Sequence, residues 1–213
     1  MSERASEPSA SRPGPLVAVL DYGIGNLRSA QKALEHVGAD ARLTADPHEI
    51  GRADGVVLPG VGAFGKCMEA LRASGLDGIA VDAAESGRPF FGICVGMQLL
   101  YEGSDEDPDE KGLGVLPGRV RLLPDSVKRP QMQWNTLDLV GSPAMCADLE
   151  RPVWVYFVHS YAAESHEGVV ATCDYGGPVV AAVERDRLWA TQFHPEKSGQ
   201  AGLAMLRNFV LSL

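Results

Sequence analysis

The chain has 213 residues, 45% of them hydrophobic and 22% charged, which suffices for one sizeable core without disulfide staples. A formal net charge of −9 repels phosphate backbones and anionic lipid, so non-specific nucleic-acid binding and membrane-surface binding are excluded as functions. No apolar run reaches transmembrane length and the N-terminal stretch lacks the apolar core of a secretory leader, so the expected location is cytoplasmic.

Residues 1–14 are rich in Ser, Pro, Ala and Glu and are expected to form a flexible tail, with a partner-binding segment as the alternative. One domain is expected over residues 15–213. The apolar run 16–20 ends at Asp21 and predicts a strand buried on both faces. Leu27, Ala30, Leu34 and Val37 then share one helical face, and Gly38 stops the helix. A second strand is predicted over 40–44. Asp46-Pro47-His48-Glu49 reads as a helix start with Asp as cap. Residues 55–58 predict a third strand, cut off by Pro59. Helices follow over 63–74 and 76–86, a fourth strand over 89–93, and a helix opens over 95–102.

This alternation predicts an α/β domain: a mostly parallel central sheet flanked by helices. Residues 103–111 read as an acidic surface loop. In the second half, strand-like runs at 118–123, 136–140, 153–158, 168–173, 178–183 and 188–193 predict an antiparallel extension of the sheet. Residues 200–212 close the chain as an amphipathic helix, with Leu203, Leu206, Phe209 and Val210 inward.

Four cysteines, Cys67, Cys94, Cys146 and Cys173, show no C-x-x-C pairing, so no disulfide framework is expected. Three read as small buried hydrophobes. Cys94 differs. Gly92-Ile93-Cys94-Val95-Gly96 lies between an apolar strand and a helix, the setting of a nucleophile elbow. The helix N-terminus beneath the thiol favours the reactive thiolate. The same pentapeptide also fits a buried cysteine between two packing glycines.

A thiol nucleophile needs a base, and the base an orienting group. His36 and His48 lie in polar helical contexts, and His166 lies in a turn. His159 and His194 each follow an apolar strand. Glu196 lies two residues beyond His194, where an extended segment would point both side chains the same way. His194-Pro195-Glu196 alone also fits an ordinary strand-end turn. Pro59-Gly60-Val61-Gly62 follows the third strand at the sheet edge expected to carry Cys94. Its amides are candidates for one half of an oxyanion hole, with the Val95 amide as the other half. A tight turn entering a helix is the alternative.

GICVGMQLL at 92–100 and FHPEKSG at 193–199 resemble the two signatures of triad-type, class I glutamine amidotransferases. DYGIGNL (21–27), LPGVGAF (58–64), QMQWN (131–135) and YFVHSY (156–161) narrow the resemblance to the glutaminase subunits of imidazole glycerol phosphate synthases. It runs from about residue 16 to the C-terminus. It implies Cys94 as nucleophile, His194 as general base and acid, and Glu196 as orienter. It also implies L-glutamine held by Gly62, Gln98 and the backbone of His159, Ser160 and Tyr161. Val61 would turn its amide inward. The implied partner is a (β/α)₈-barrel cyclase, with Asn26, Trp134, Tyr156 and Lys197 near the interface. No metal or organic cofactor is implied. One departure stands out: Gln131 and Gln133 occupy positions where the family usually has His and Gly, and a side chain at 133 is expected to restrict that loop. A stand-alone cysteine hydrolase, a silent binding subunit and the glutaminase of another synthase remain as rival readings.

Overall fold

The computed structural model describes residues 14–164 and 167–213. The tail expected over 1–14 therefore lies, apart from Gly14, outside the described residues, as does His166. In chain order the elements are β1 (Leu16–Leu20), α1 (Leu27–His36), β2 (Asp40–Thr44), α2 (Pro47–Arg52), β3 (Gly55–Gly60), α3 (Phe64–Ala73), α4 (Leu76–Glu85), β4 (Phe90–Cys94) and α5 (Val95–Leu99). There follow β5 (Gly103–Ser104), β6 (Asp107–Lys111), β7 (Arg119–Leu122), β8 (Gln131–Thr136), β9 (Asp138–Leu139), β10 (Trp154–His159) and β11 (Tyr161–Ala163). The last are β12 (Val169–Asp174), β13 (Pro178–Arg185), β14 (Leu188–Thr191) and α6 (Gly199–Leu211).

The central sheet runs β2-β1-β3-β4-β14-β13-β12-β9. Its strands are parallel from β2 through β14. They are antiparallel from β14 through β13 and β12 to β9. Of the parallel strands, β1, β3 and β4 are buried on both faces, as their apolar runs require, while the edge strand β2 is partly exposed. α1 buries Leu27, Ala30 and Leu34, and Val37 is half-buried just past its end. Asp46 caps α2, its side chain accepting from the His48 amide at 2.9 Å. α6 seats Phe209 against Phe91 and Trp189, at centroid distances of 5.3 and 5.9 Å. Leu203 on the same helix is only partly buried.

Four expectations need correction. Pro59 does not end the third strand, because β3 outruns its neighbour β1. Pairing with β1 stops at Val19–Val57, while pairing with β4 continues to Gly60–Cys94. Beyond β1 no partner asks Pro59 for an N–H. The acidic stretch 103–111 is a small hairpin, β5–β6, exposed outside yet paired in the backbone. Not all later strands extend the main sheet: β8 pairs only with β10, and β7 and β11 join β5 and β6 in a separate four-stranded sheet. Finally, Gln133 lies in the extended strand β8 and is exposed, where a side chain is accommodated without strain.

Candidate active site

β4 ends at Cys94, whose backbone sits at φ 56 and ψ −112. A non-glycine residue held there stores strain, the signature of a side chain forced out of a strand-to-helix turn. The turn is possible because Gly96 lies against β3: a Cβ there would meet the Leu58 carbonyl oxygen at 1.8 Å. Cys94 and Val95 are the junction of β4 and α5, and Gly60 is the direct neighbour of Cys94 across the sheet. The Pro59–Gly62 segment thus lies beside the elbow.

His194 arrives from β14, the other neighbour of β4. Thr191 pairs with Ile93, and the chain continues through buried Gln192 and Phe193 to the histidine. Its Nδ1 lies 2.8 Å from Glu196 Oε1. The expected pairing is present, but its expected geometry is not: Pro195–Lys197 is a 3-10 turn, and this turn folds Glu196 back under the ring. Burial disfavours the charged imidazole, yet hydrogen bonds with Cys94 and Glu196 outweigh it and push the His194 pKa up to about 9. Among the described residues the second Glu196 oxygen, Oε2, is buried without a hydrogen-bond partner.

A cavity of about 320 Å³ opens over this pair. Its lining includes Val61, Gly62, Cys94, Val95, Gln98 and, opposite them, His159, Ser160 and Tyr161. The predicted glutamine-binding residues are therefore brought together around the thiol. The His159 ring itself is turned away: Nδ1 faces the Tyr161 carbonyl at 2.8 Å and Nε2 faces Gln131 at 2.9 Å. Burial, only partly offset by the Tyr161 carbonyl, holds its pKa down near 4, so the ring is neutral. Both of its ring nitrogens are engaged by protein partners. Gln98 donates its amide to the Tyr161 carbonyl and to Gln192, both at 3.0 Å.

Three residues were missed in the sequence. Gln192 is fully buried, with Nε2 3.9 Å from Cys94 Sγ. Glu106, at the β5–β6 turn, lines the cavity and accepts the Phe64 amide at 2.8 Å. It brings an acidic side chain into the cavity that holds Cys94. Gln131, noted only as a departure, is buried under His159. Only Glu106 carried a usable signal: it sits in a run of acids, one of which could face inward.

Asn26, Trp134 and Lys197 are exposed and Tyr156 is half-buried. Trp134 and Tyr156 pair across β8 and β10 with ring centroids 6.0 Å apart. The Tyr156 carbonyl accepts the His194 amide at 3.2 Å, and its amide donates to Ser198 at 3.0 Å. The Trp134–Tyr156 pair is thus tied directly to the backbone around His194. Among the described residues there is no cluster suited to a metal, and no helix long and apolar enough to cross a membrane.

Two expected outcomes arise here. Gly60→Val should cost stability and activity together, because a Cβ at residue 60 would lie 2.7 Å from the Gly96 amide nitrogen. Such overpacking typically costs ~1–3 kcal/mol, read as a lowered Tm and a fallen turnover. The second concerns pH. A His194 pKa raised to about 9 keeps the ring protonated through neutrality, and the proton is lost as pH rises through that value. The pH–rate profile of thiol chemistry at this site should therefore descend near pH 9. A descending limb near the ordinary histidine value would show that Cys94 and Glu196 do not hold the proton there.

The comparisons with known proteins agree with this geometry. The family model described as glutamine amidotransferase class-I matches residues 18–213. A protein of Methanothermobacter thermautotrophicus called imidazole glycerol phosphate synthase subunit HisH is 49% identical, over 92% of this chain and 98% of that one. A protein of the same name from Syntrophotalea carbinolica is 47% identical, over 91% and 98%. The solved structure of PurLQS from Thermotoga maritima shares the fold, with a TM-score of 0.73 at 21% identity over 93% of this chain and 98% of that one. With a matched family model spanning nearly the whole domain, this chain belongs to the class-I glutamine amidotransferase family.

Proposed function

We propose that the chain is the glutaminase subunit of an imidazole glycerol phosphate synthase, hydrolysing L-glutamine and passing ammonia to a (β/α)₈-barrel cyclase in histidine biosynthesis. The observation that carries the chemistry is the approach of Cys94 and His194 at the ends of adjacent strands, with Glu196 on the far ring nitrogen. The near full-length likeness to proteins of that name carries the pathway.

Glutamine enters the cavity with its α-ammonium toward Glu106 and its side-chain amide over Cys94. The Cys94 thiolate attacks the amide carbon, and the oxyanion is held by the amides of Val61 and Val95. His194 gives its proton to the nitrogen as the C–N bond breaks, so ammonia leaves and a thioester remains. Water then attacks the thioester, His194 takes its proton, and glutamate departs with the thiol restored. Gln98, Gly62 and the Ser160–Tyr161 backbone hold the substrate, and Asn26, Trp134, Tyr156 and Lys197 face the cyclase. The ammonia joins the cyclase's ribulosyl substrate, giving imidazole glycerol phosphate and the carboxamide ribonucleotide. The motifs require no metal or organic cofactor.

The test mixes the chain with such a cyclase and follows glutamate release. Hydrolysis should be slow for the chain alone and rise by about 10²-fold or more when the cyclase carries its nucleotide, the scale of completing an oxyanion hole. Equal rates in all states would favour a stand-alone hydrolase.

A further inference from the structure

Behind the cavity wall formed by Ser160 and Tyr161 lies a buried polar row that the mechanism leaves idle. The ladder between β11 and β7 places it there. The Leu123 amide gives to the Ser160 carbonyl at 2.9 Å, and the Glu164 amide gives to the Arg119 carbonyl at 3.0 Å. Antiparallel pairs alternate, so the next pair, Tyr161–Leu122, is not hydrogen-bonded and the Tyr161 carbonyl points away from β7. It accepts the Gln98 amide at 3.0 Å and meets His159 Nδ1 at 2.8 Å. Two donors fill its two lone pairs.

A carbonyl can only accept, so His159 Nδ1 carries a proton. The ring is buried against Phe157, with centroids 5.6 Å apart, and its polar partners are a carbonyl and an amide, neither of which balances a charge. Burial and the nearby His194 disfavour the imidazolium and hold the pKa near 4. Nε2 is therefore bare and has to accept.

Gln131, wholly buried, spans His159 Nε2 at 2.9 Å and Cys173 Sγ at 3.8 Å. The two ends of an amide have the same shape, so hydrogen bonding chooses between them. With Oε1 toward Nε2, two acceptors face each other. With the NH₂ end there, each group meets its complement. Burial pushes the Cys173 thiol up to about 11, so it stays protonated and gives to Oε1.

We propose that Gln131 is a positioning residue that turns its NH₂ end to His159, fixes the Nδ1–H tautomer and thereby holds the Tyr161 carbonyl and the cavity wall in place. The donors then run one way, from Cys173 through Gln131 and His159 to Tyr161, and such a chain reinforces itself. A glutamine supplies this donor with no charge of its own at any pH. The kinetic part of the proposal rests on glutamine being hydrolysed at Cys94.

The experiment has two arms. In the first, ring-nitrogen resonances of His159 are recorded at neutral pH in the full ¹⁵N-labelled chain and assigned by their loss in His159→Asn. Nδ1 should be protonated and Nε2 bare. In Gln131→Met, Nε2 should stay bare and its resonance move downfield, because the hydrogen bond given to it is gone. A wild-type ring protonated at Nε2, or an Nε2 resonance unmoved by Gln131→Met, would overturn the assignment. In the second arm each chain is bound to the cyclase. Gln131→Met should raise KM for glutamine about five- to tenfold while kcat stays within about twofold, since the wall loosens and Cys94 and His194 do not move. Cys173→Ala probes the far end of the same chain should Gln131→Met not fold. It should raise KM about twofold, because a thiol is a weak donor. KM unchanged in both variants, or kcat lost as much as KM is raised, would overturn the positioning role. A wild-type complex that releases no glutamate sinks the glutaminase reading instead, and the ring spectrum then still decides which way Gln131 faces.

Discussion

Cys94→Ala should abolish glutamine hydrolysis, with a fall of at least about 10⁴-fold, while the assembled complex still uses free ammonia. The thioester cannot form without the sulfur, and no neighbour can replace it. Cys146 and Cys173 are buried, and burial pushes their thiols up to about 12 and about 11, far from the reactive thiolate. The substitution is small, and Cys94 is itself at a positive φ that alanine tolerates no better, so the fold's strain is unchanged. The measurement is paired: glutamate release and ammonia-driven product formation on one preparation. Loss of both would point to a misfolded chain. Glutamate release surviving in the variant would remove Cys94 from the mechanism.

Glu196→Gln should lower kcat strongly, by ~10²–10⁴, with little change in Tm. In serine triads the analogous exchange costs about 10⁴, and a thiol loses less because sulfur is the stronger nucleophile. The glutamine side chain can still accept from Nδ1, but it no longer favours the imidazolium. The alkaline limb near pH 9 should accordingly move to lower pH, because one of the groups raising the His194 pKa has lost its charge. The exchange puts an uncharged amide nitrogen where Oε2 lies buried without a partner, trading the cost of a buried charge for that of an unpaired N–H, so Tm should shift little. Turnover equal to wild type would mean that another group orients the histidine.

Much of this was legible in the residues because local chemistry and global position agreed. The run 16–20, the cap at Asp46 and the elbow glycines each impose one backbone state, and each was found where periodicity or turn chemistry put it. Cys94, His194 and Glu196, which the structure brings together, were legible as candidates because they sit on two short motifs. The second half resisted for a physical reason. An alternating apolar pattern says that a strand has a buried face, but not which strand it meets. Hence β10, predicted over 153–158, read as an extension of the main sheet when it pairs only with β8, a stretch not predicted as a strand. Pro59 misled because a missing N–H matters only where a neighbour would use it. Gln131 and Gln192 were invisible because a polar residue that is satisfied by distant partners looks like a surface residue in the sequence.

The place of β14 has a consequence for how the molecule comes into being. Inserted between β4 and β13, it joins residues about 100 positions apart, Thr191 to Ile93. Contacts of such sequence separation close late in folding. During synthesis, at roughly 5–20 residues per second, the elbow strand emerges several seconds before its neighbour. Until Leu188–Thr191 arrives, β4 has an open edge and Cys94 has no histidine beside it. On the proposed mechanism the nascent chain is catalytically mute until the final strand is in place. The same interval is its period of greatest exposure to aggregation, since Phe90–Cys94 is an apolar edge waiting for a partner.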